Sequence, residues 1–251
     1  MEKIQSYKKL NSNALKLIAI VAMTIDHIAW QIFPGFSREP VAVIMHLIGR
    51  ITCPVMCYCI AEGFHYTRNV KKYTARLFLL ALVSHVPYML NSFDYTDWTS
   101  LIPFYNGNFF NQTSVVWSLA WGLVMLRAYY SEKLSNLAKT LVVVGVCVIT
   151  FPSDWSCIAA MCVLCIGSNR NQPKKQLCWC LFYVSVYVLV YCLALDWLYG
   201  LVQFGVLLSV PLIVCYNGKR GANPIVNKIM KWLFYIYYPL HLMILALIFV
   251  L

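Results

Sequence analysis

Charge is what this chain has least of. Only 12% of its 251 residues are Asp, Glu, Lys or Arg, against about 25% in soluble domains. With 61% hydrophobic residues, this excludes an ordinary water-soluble fold. Acid is scarcer still: nine Asp and Glu against twenty Lys and Arg, for a net charge of +11. Nothing resembling a cleavage site follows the first apolar run, so that run is expected to stay as an uncleaved start-transfer anchor. Among eleven cysteines the one metal-like spacing, Cys162-x₂-Cys165, lacks a second pair or a nearby histidine, and no metal is expected. No internal inverted repeat is visible, and no linker divides the chain, which reads as one domain over 1–251 with a cytosolic tail at 1–13.

What the chain does have is long apolar runs between short basic loops. Nine are spaced as spans, near 14–33, 41–64, 75–92, 113–130, 138–151, 155–168, 177–195, 198–216 and 231–251. The fold class is all-α, a polytopic transmembrane helical bundle of about nine spans. The fifth and sixth runs are short, and Pro152 with Asp154 allows a re-entrant pair instead.

The net positive charge is topological and no nucleic-acid footprint. Lys3, Lys8, Lys9 and Lys16 open a series of basic loops. It continues through Arg68, Lys71, Lys72 and Arg76, then Arg127, Lys133 and Lys139, then Arg170, Lys174 and Lys175, and ends at Lys219, Arg220, Lys228 and Lys231. Intervening loops hold Glu39, Asp94, Asp97, Asp154 and Asp196, with Arg38 their one base. The positive-inside rule therefore puts the N-terminus inside and the C-terminus outside.

Within the first span Asp26 and His27 sit side by side near mid-membrane, where an Asp alone costs roughly 2.5–3.5 kcal/mol on insertion scales. Lys16 precedes His27 by eleven residues, about three turns plus 20° at roughly 100° per residue. It shares the stripe of His27, about 16 Å nearer the inner surface. Counting about 1.5 Å per residue from charged ends puts Arg50, His85 and His241 near the same level. His46 lies one turn above Arg50 on the same face. Five ionisable groups from four spans at one depth mark a candidate site. Pro54, Pro87, Pro211 and Pro239 lie close by and fit a cavity lined by broken helices.

Plainer readings stand beside this one. Intramembrane histidines often serve only to hydrogen-bond neighbouring helices. A guanidinium at mid-membrane needs an acid, and Asp26 is the one acid at its depth, so an Arg50–Asp26 pair accounts for both. The loop Glu62–Arg76, with Thr67 and Asn69, is suited to phosphate contacts, and also to topogenesis alone.

The segments LKLIAIVAMTIDHI (15–28), GRITCPVMCYCIAEGFHYTRNVKKYTARL (49–77), Ser84-His-Val-Pro87 and FYIYYPLHLMIL near the C-terminus resemble, in order, the TraX family of F-pilin acetylase-like integral membrane proteins. The Lys16-x₁₀-His27 spacing is also similar to the Arg/Lys-x₁₀-His motif of the acyltransferase 3 group. The resemblance implies a multi-pass protein of the bacterial cytoplasmic (inner) membrane. It would move an acetyl or acyl group from cytosolic acetyl-CoA or another acyl-CoA to an extracytoplasmic acceptor: a peptide amine, glycan or small molecule. His27 maps to the catalytic base or acyl relay and Lys16 to the cation near CoA. Asp26 would orient His27 or pair charge, Arg50, His85 and His241 would line the site, and Arg68, Lys71, Lys72 and Arg76 would join Lys16 at the CoA end. The aromatic loop Phe93–Phe110 is a candidate acceptor surface. The pilin amine itself is not carried over, since nothing in the sequence signals a pilin system. The rival reading is a proton- or ion-coupled transporter using the same Asp/His/Arg groups; a third is a bis-His haem protein.

Overall fold

The computed structural model describes residues 9–92, 96–105 and 109–250. Lys3, Lys8, Phe93 and Asp94 lie outside these. All nine apolar runs are helical, and six reach the length and apolarity of a membrane crossing: Ser12–Ile32, Pro40–Tyr66, Val70–Leu90, Pro173–Ala194, Trp197–Val214 and Pro224–Phe249. The chain is an all-α membrane protein. Its exposed side chains agree, with Leu17, Val21, Leu79, Leu82, Leu137, Val148 and Leu193 uncovered on helix surfaces where hydrocarbon would lie.

Two of the expected continuous spans are broken. The run 41–64 forms α2 (Pro40–Gly49) and α3 (Thr52–Tyr66), interrupted at Arg50–Ile51. Pro54 explains the break, because it lacks the N–H that would close on the Arg50 carbonyl. The run 198–216 is α9 (Trp197–Val202), a 3₁₀ segment Gln203–Leu208, and α10 (Ser209–Val214). Pro211 likewise deprives Leu207 of an N–H partner. The other elements are α1 (Ser12–Ile32), α4 (Val70–Leu90), a 3₁₀ turn Trp98–Leu101, α5 (Val115–Tyr129), α6 (Asn136–Thr150), α7 (Ile158–Ser168), α8 (Pro173–Ala194) and α11 (Pro224–Phe249). Local caps set several starts: Asn11 Oδ1 accepts from the Asn13 and Ala14 amides at 3.0 Å each, and Asn69 Oδ1 from the Lys72 amide at 2.9 Å.

Helices α5, α6 and α7 fall short of the six. At about 1.5 Å per residue they run roughly 22, 22 and 16 Å, because Pro152 and the turn after Thr150 take residues that would have extended α6 and α7.

Contacts gather into two compact units. Unit 1 is Met1–Cys59 with Tyr187–His241, and unit 2 is Ile60–Val186 with Leu242–Leu251. In unit 1, α1 pairs with α11 through Asn13–Asn227 at 2.7 Å, Thr24–Tyr237 at 2.6 Å and His27–His241 at 2.7 Å. Partners advance together along both helices, so α1 and α11 run parallel. Helix α2 runs antiparallel to α1: His46 and Arg50 reach Asp26, and Thr52 Oγ1 donates to the Ala19 carbonyl at 3.1 Å.

In unit 2, α5 and α7 are parallel. Ser118 Oγ donates to the Ser156 carbonyl at 2.7 Å, and Tyr130 at the other end donates to the Gly167 carbonyl at 3.0 Å. Gly122 lets them touch, since a Cβ there would meet Val163 Cβ at 2.9 Å and Ala160 Cα at 3.0 Å. Helix α6 packs alongside both, and Met125, Leu126, Val146, Ala160 and Leu164 form the shared core. At the α5 start the Gln112 amide donates to the Pro152 carbonyl at 2.7 Å and the Asp154 amide to the Thr113 carbonyl at 2.8 Å.

Candidate functional site

The close meeting of α1 and α2 begins with a missing side chain. A Cβ on Gly49 would overlap the Asp26 carboxyl, so only glycine lets the two helices approach there. The α2–α3 break then turns Arg50 back along α1. One guanidinium nitrogen, Nη2, donates to both Asp26 oxygens at 2.8 Å, Nη1 donates to Gln203 Oε1 at 3.1 Å, and Nε donates to the His46 carbonyl at 3.3 Å. Gln203 is itself held by donating to the Tyr199 carbonyl at 3.1 Å. Gly205 leaves the room, because a Cβ there would stand 3.1 Å from Arg50 Cβ.

Asp26 has a further partner in His46, whose Nδ1–H donates to Oδ1 at 2.8 Å. His46 is wholly buried, flanked by the rings of Trp30 (centroids 4.3 Å apart) and Tyr199 (5.2 Å). Among the described residues its Nε2 has no hydrogen-bond partner. Asp26 therefore serves Arg50 and His46, and among the described residues it makes no hydrogen bond to His27.

His27 is oriented from the opposite helix. Its Nδ1 meets His241 Nε2 at 2.7 Å, with the two rings within 13° of coplanar. His241 Nδ1 lies 2.9 Å from the Tyr237 carbonyl. A carbonyl only accepts, so Nδ1 of His241 carries a proton, and in the neutral ring Nε2 is then an acceptor. The proton between the rings belongs to His27 Nδ1. That leaves the lone pair of a neutral His27 on Nε2, which makes no hydrogen bond among the described residues. Beneath this pair Thr24 Oγ1 donates to the Ile20 carbonyl at 2.8 Å, so the 2.6 Å contact with Tyr237 has the phenol as donor.

Four of the five residues expected to line the site, Asp26, His27, Arg50 and His241, are thus joined by hydrogen bonds in two adjacent pairs inside unit 1. The fifth, His85, belongs to unit 2. Its Nε2 donates to the Leu101 carbonyl at 3.0 Å and its Nδ1 accepts from Thr113 Oγ1 at 3.2 Å, so both nitrogens tie loop segments to α4. Lys16 lies on α1 in unit 1. Arg68, Lys71 and Lys72 are exposed at the start of α4 in unit 2, where half-buried Arg76 stands over the Tyr73 ring at 5.9 Å. Glu62 pairs with Arg170 at 3.3 Å.

The sequence reading placed His46 on the correct face without giving it a role; its spacing of four from Arg50 was the signal. Gln203, Tyr199, Thr24 and Tyr237 were missed. Gln203 was detectable as the lone amide in an apolar run, and Tyr237 as the residue one turn before His241. Among the described residues no three His, Cys, Asp or Glu side chains gather as a metal-holding group.

The chain is 27% identical over 241 residues to a protein of Dichelobacter nodosus named as probable fimbrial assembly protein FimC, serogroup H1, covering 92% of this chain and 93% of that one. It is 28% identical over 124 residues to an uncharacterised protein of Rickettsia prowazekii (strain Madrid E), covering 44% and 48% of the two. No solved structure matches it. The family described as TraX protein matches residues 11–249, nearly the whole chain, and the chain belongs to the TraX family.

Proposed function

We propose that this protein is a membrane-embedded acyltransferase of the bacterial cytoplasmic membrane, moving an acetyl group from cytosolic acetyl-CoA to an amine or hydroxyl outside. The observation that carries the reading is the directed chain Tyr237 C=O, His241, His27. It leaves a neutral imidazole nitrogen, Nε2 of His27, without a hydrogen bond among the described residues, in a membrane helix whose neighbouring acid is neutralised by Arg50. Such a nitrogen suits proton abstraction from an acceptor, or attack on a thioester to give an acyl-imidazole. His241 holds the tautomer in either step. Arg50 balances Asp26, so the site gains no net charge from the pair.

A nine-crossing, N-inside arrangement is supported by two sets of contacts. Parallel α1 and α11 require an odd total of crossings, and six would leave them antiparallel. Within unit 2, α5 and α7 run alongside each other with α6 packed alongside both, which suits three crossings despite their shortness. The arrangement puts Lys16 and the basic loop at Arg68–Arg76 on the cytosolic side, where polyanionic CoA must stay. The fimbrial assembly relative, together with family membership, supports a pilus-related role and makes a surface-fibre subunit the first acceptor to try.

The test is acetyl-CoA turnover by purified protein in lipid nanodiscs. Saturable release of CoA, lost in His27→Ala while the protein stays folded, is expected. Full turnover in that variant, or pH-driven ion flux without turnover in liposomes, would overturn the reading.

A further inference from the structure

His46 is unused by the chemistry described so far, and its environment is unusual. It is wholly buried, its Nδ1–H is committed to Asp26 at 2.8 Å, and its Nε2 has no partner among the described residues. A buried imidazole nitrogen left without a partner forfeits the water hydrogen bond it had when exposed. Carboxylate to Nδ1, with Nε2 presented outward, is how a carboxylate fixes an imidazole as a base in nucleophilic catalysis. Here the oriented ring is His46; His27 is oriented by His241.

Resting on the acyltransferase reading, we propose that His46 is the general base for the acceptor. The site then has two imidazoles with divided tasks, His27 on the acyl side and His46 on the acceptor side. With Nδ1 donating to Asp26, Nε2 of neutral His46 can only accept, so the molecule it takes is a hydrogen-bond donor, an O–H or N–H nucleophile. Its flanks are the rings of Trp30 and Tyr199, and around them Phe36 packs on Trp30 at 6.3 Å and on Tyr199 at 5.0 Å. An acceptor bonded to Nε2 would lie beside these aromatic faces, reached by side chains moving aside from a ring that is wholly buried in this state.

In the transfer step the acceptor heteroatom forms a bond to the acyl carbon while its proton passes to His46 Nε2. The bond from that carbon to its leaving group breaks, whether CoA sulfur or His27 Nε2, and the leaving group keeps the electron pair. The proton on His46 then leaves to the thiolate or to water. The charged and titratable groups facing His46 are Asp26 and His27 on α1, Arg50 at the end of its own helix, and Tyr199 on α9. Asp26 stabilises the imidazolium that forms, and Arg50 opposes it.

The test uses wild type, His46→Gln and His27→Gln in nanodiscs, with acetyl-CoA as donor and ethanolamine as probe, whose amine and hydroxyl give separable N- and O-acetyl products. Loss of a general base costs about 10²–10⁴-fold. His46→Gln is expected to lower kcat by that factor at neutral pH, with the deficit shrinking as pH rises and hydroxide takes the acceptor proton in place of the imidazole. A deficit equal at every pH, or smaller than threefold, would overturn the assignment of His46 while leaving His27 and acyl transfer standing. No turnover in wild type would instead overturn the acyltransferase reading, and this one with it. As a check independent of folding in the variants, nitrogen NMR of ¹⁵N-histidine-labelled wild type should show His46 protonated on Nδ1 and bare on Nε2; the opposite tautomer would overturn the proposal.

Discussion

Replacing Asp26 by Asn tests whether the acid in α1 belongs to Arg50. Arg50 makes two hydrogen bonds to Asp26 at 2.8 Å and two longer ones, to Gln203 and to the His46 carbonyl. With Asn at 26 the guanidinium loses the carboxylate and keeps the neutral acceptors at Gln203 and the His46 carbonyl. Removing one partner of a buried pair costs about 3–5 kcal/mol, because the other charge stays uncompensated. At about 2–4 °C per kcal/mol for a chain of this size, Tm should fall by about 6–20 °C. Arg50→Met should cost a similar amount. The double variant, with neither charge buried, should recover most of the loss, since apolar replacement of an entire buried pair is often neutral. Thermal unfolding of the four proteins in one detergent gives the coupling energy. Additive single effects, or a shift within about 2 °C for Asp26→Asn, would show that the pair does not balance charge as described.

Two further outcomes follow from particular contacts. Gly49→Ala should displace the Asp26 carboxyl, costing about 1–3 kcal/mol from overpacking, and thermal unfolding should show the drop; wild-type stability would mean that α1 and α2 do not meet at that depth. Asp97, in the α4–α5 loop, accepts from the Thr99 amide at 2.7 Å and from the Thr99 hydroxyl, which together hold its carboxyl below the usual value. A depressed folded pKa contributes order above the unfolded value and loses it as pH falls through the folded one. Amide protection at Thr99 and Ser100, taken relative to the intrinsic exchange rate at each pH, should therefore fall on acidification below the ordinary Asp range; protection that increases there would contradict the cap.

Much of this was legible because a membrane penalises polarity so heavily. Asp26, His27, Arg50 and His241 stood out as the polar exceptions in apolar runs, and counting residues from the charged ends brought them to one depth. Counting could not give azimuth. His85 sits at a comparable height by that count, yet its nitrogens are taken by Leu101 and Thr113, partners fixed by how the 3₁₀ turn folds back. Nor could it divide the acid between two histidines. Asp26 and His27 are adjacent in sequence but point about 100° apart on a helix, so each found its partner on a different neighbour. The broken spans were half visible in Pro54 and Pro211, while the turn that shortens α6 and α7 was visible only as Pro152.

The parallel pairing of α1 with α11 gives the chain an order of maturation. His27 and His241 are separated by 214 residues, on the order of 10–40 s of synthesis at about 5–20 residues per second. Asp26 gains Arg50 early, as soon as the second hydrophobic run follows the first into the membrane. His27 has no ring to fix its tautomer until the last helix arrives beside it. A chain stalled or truncated before α11 would thus insert with the Asp26 charge already balanced by Arg50 but with the His27 tautomer still unfixed, so the bilayer would accept the intermediate before the His27–His241 pair exists.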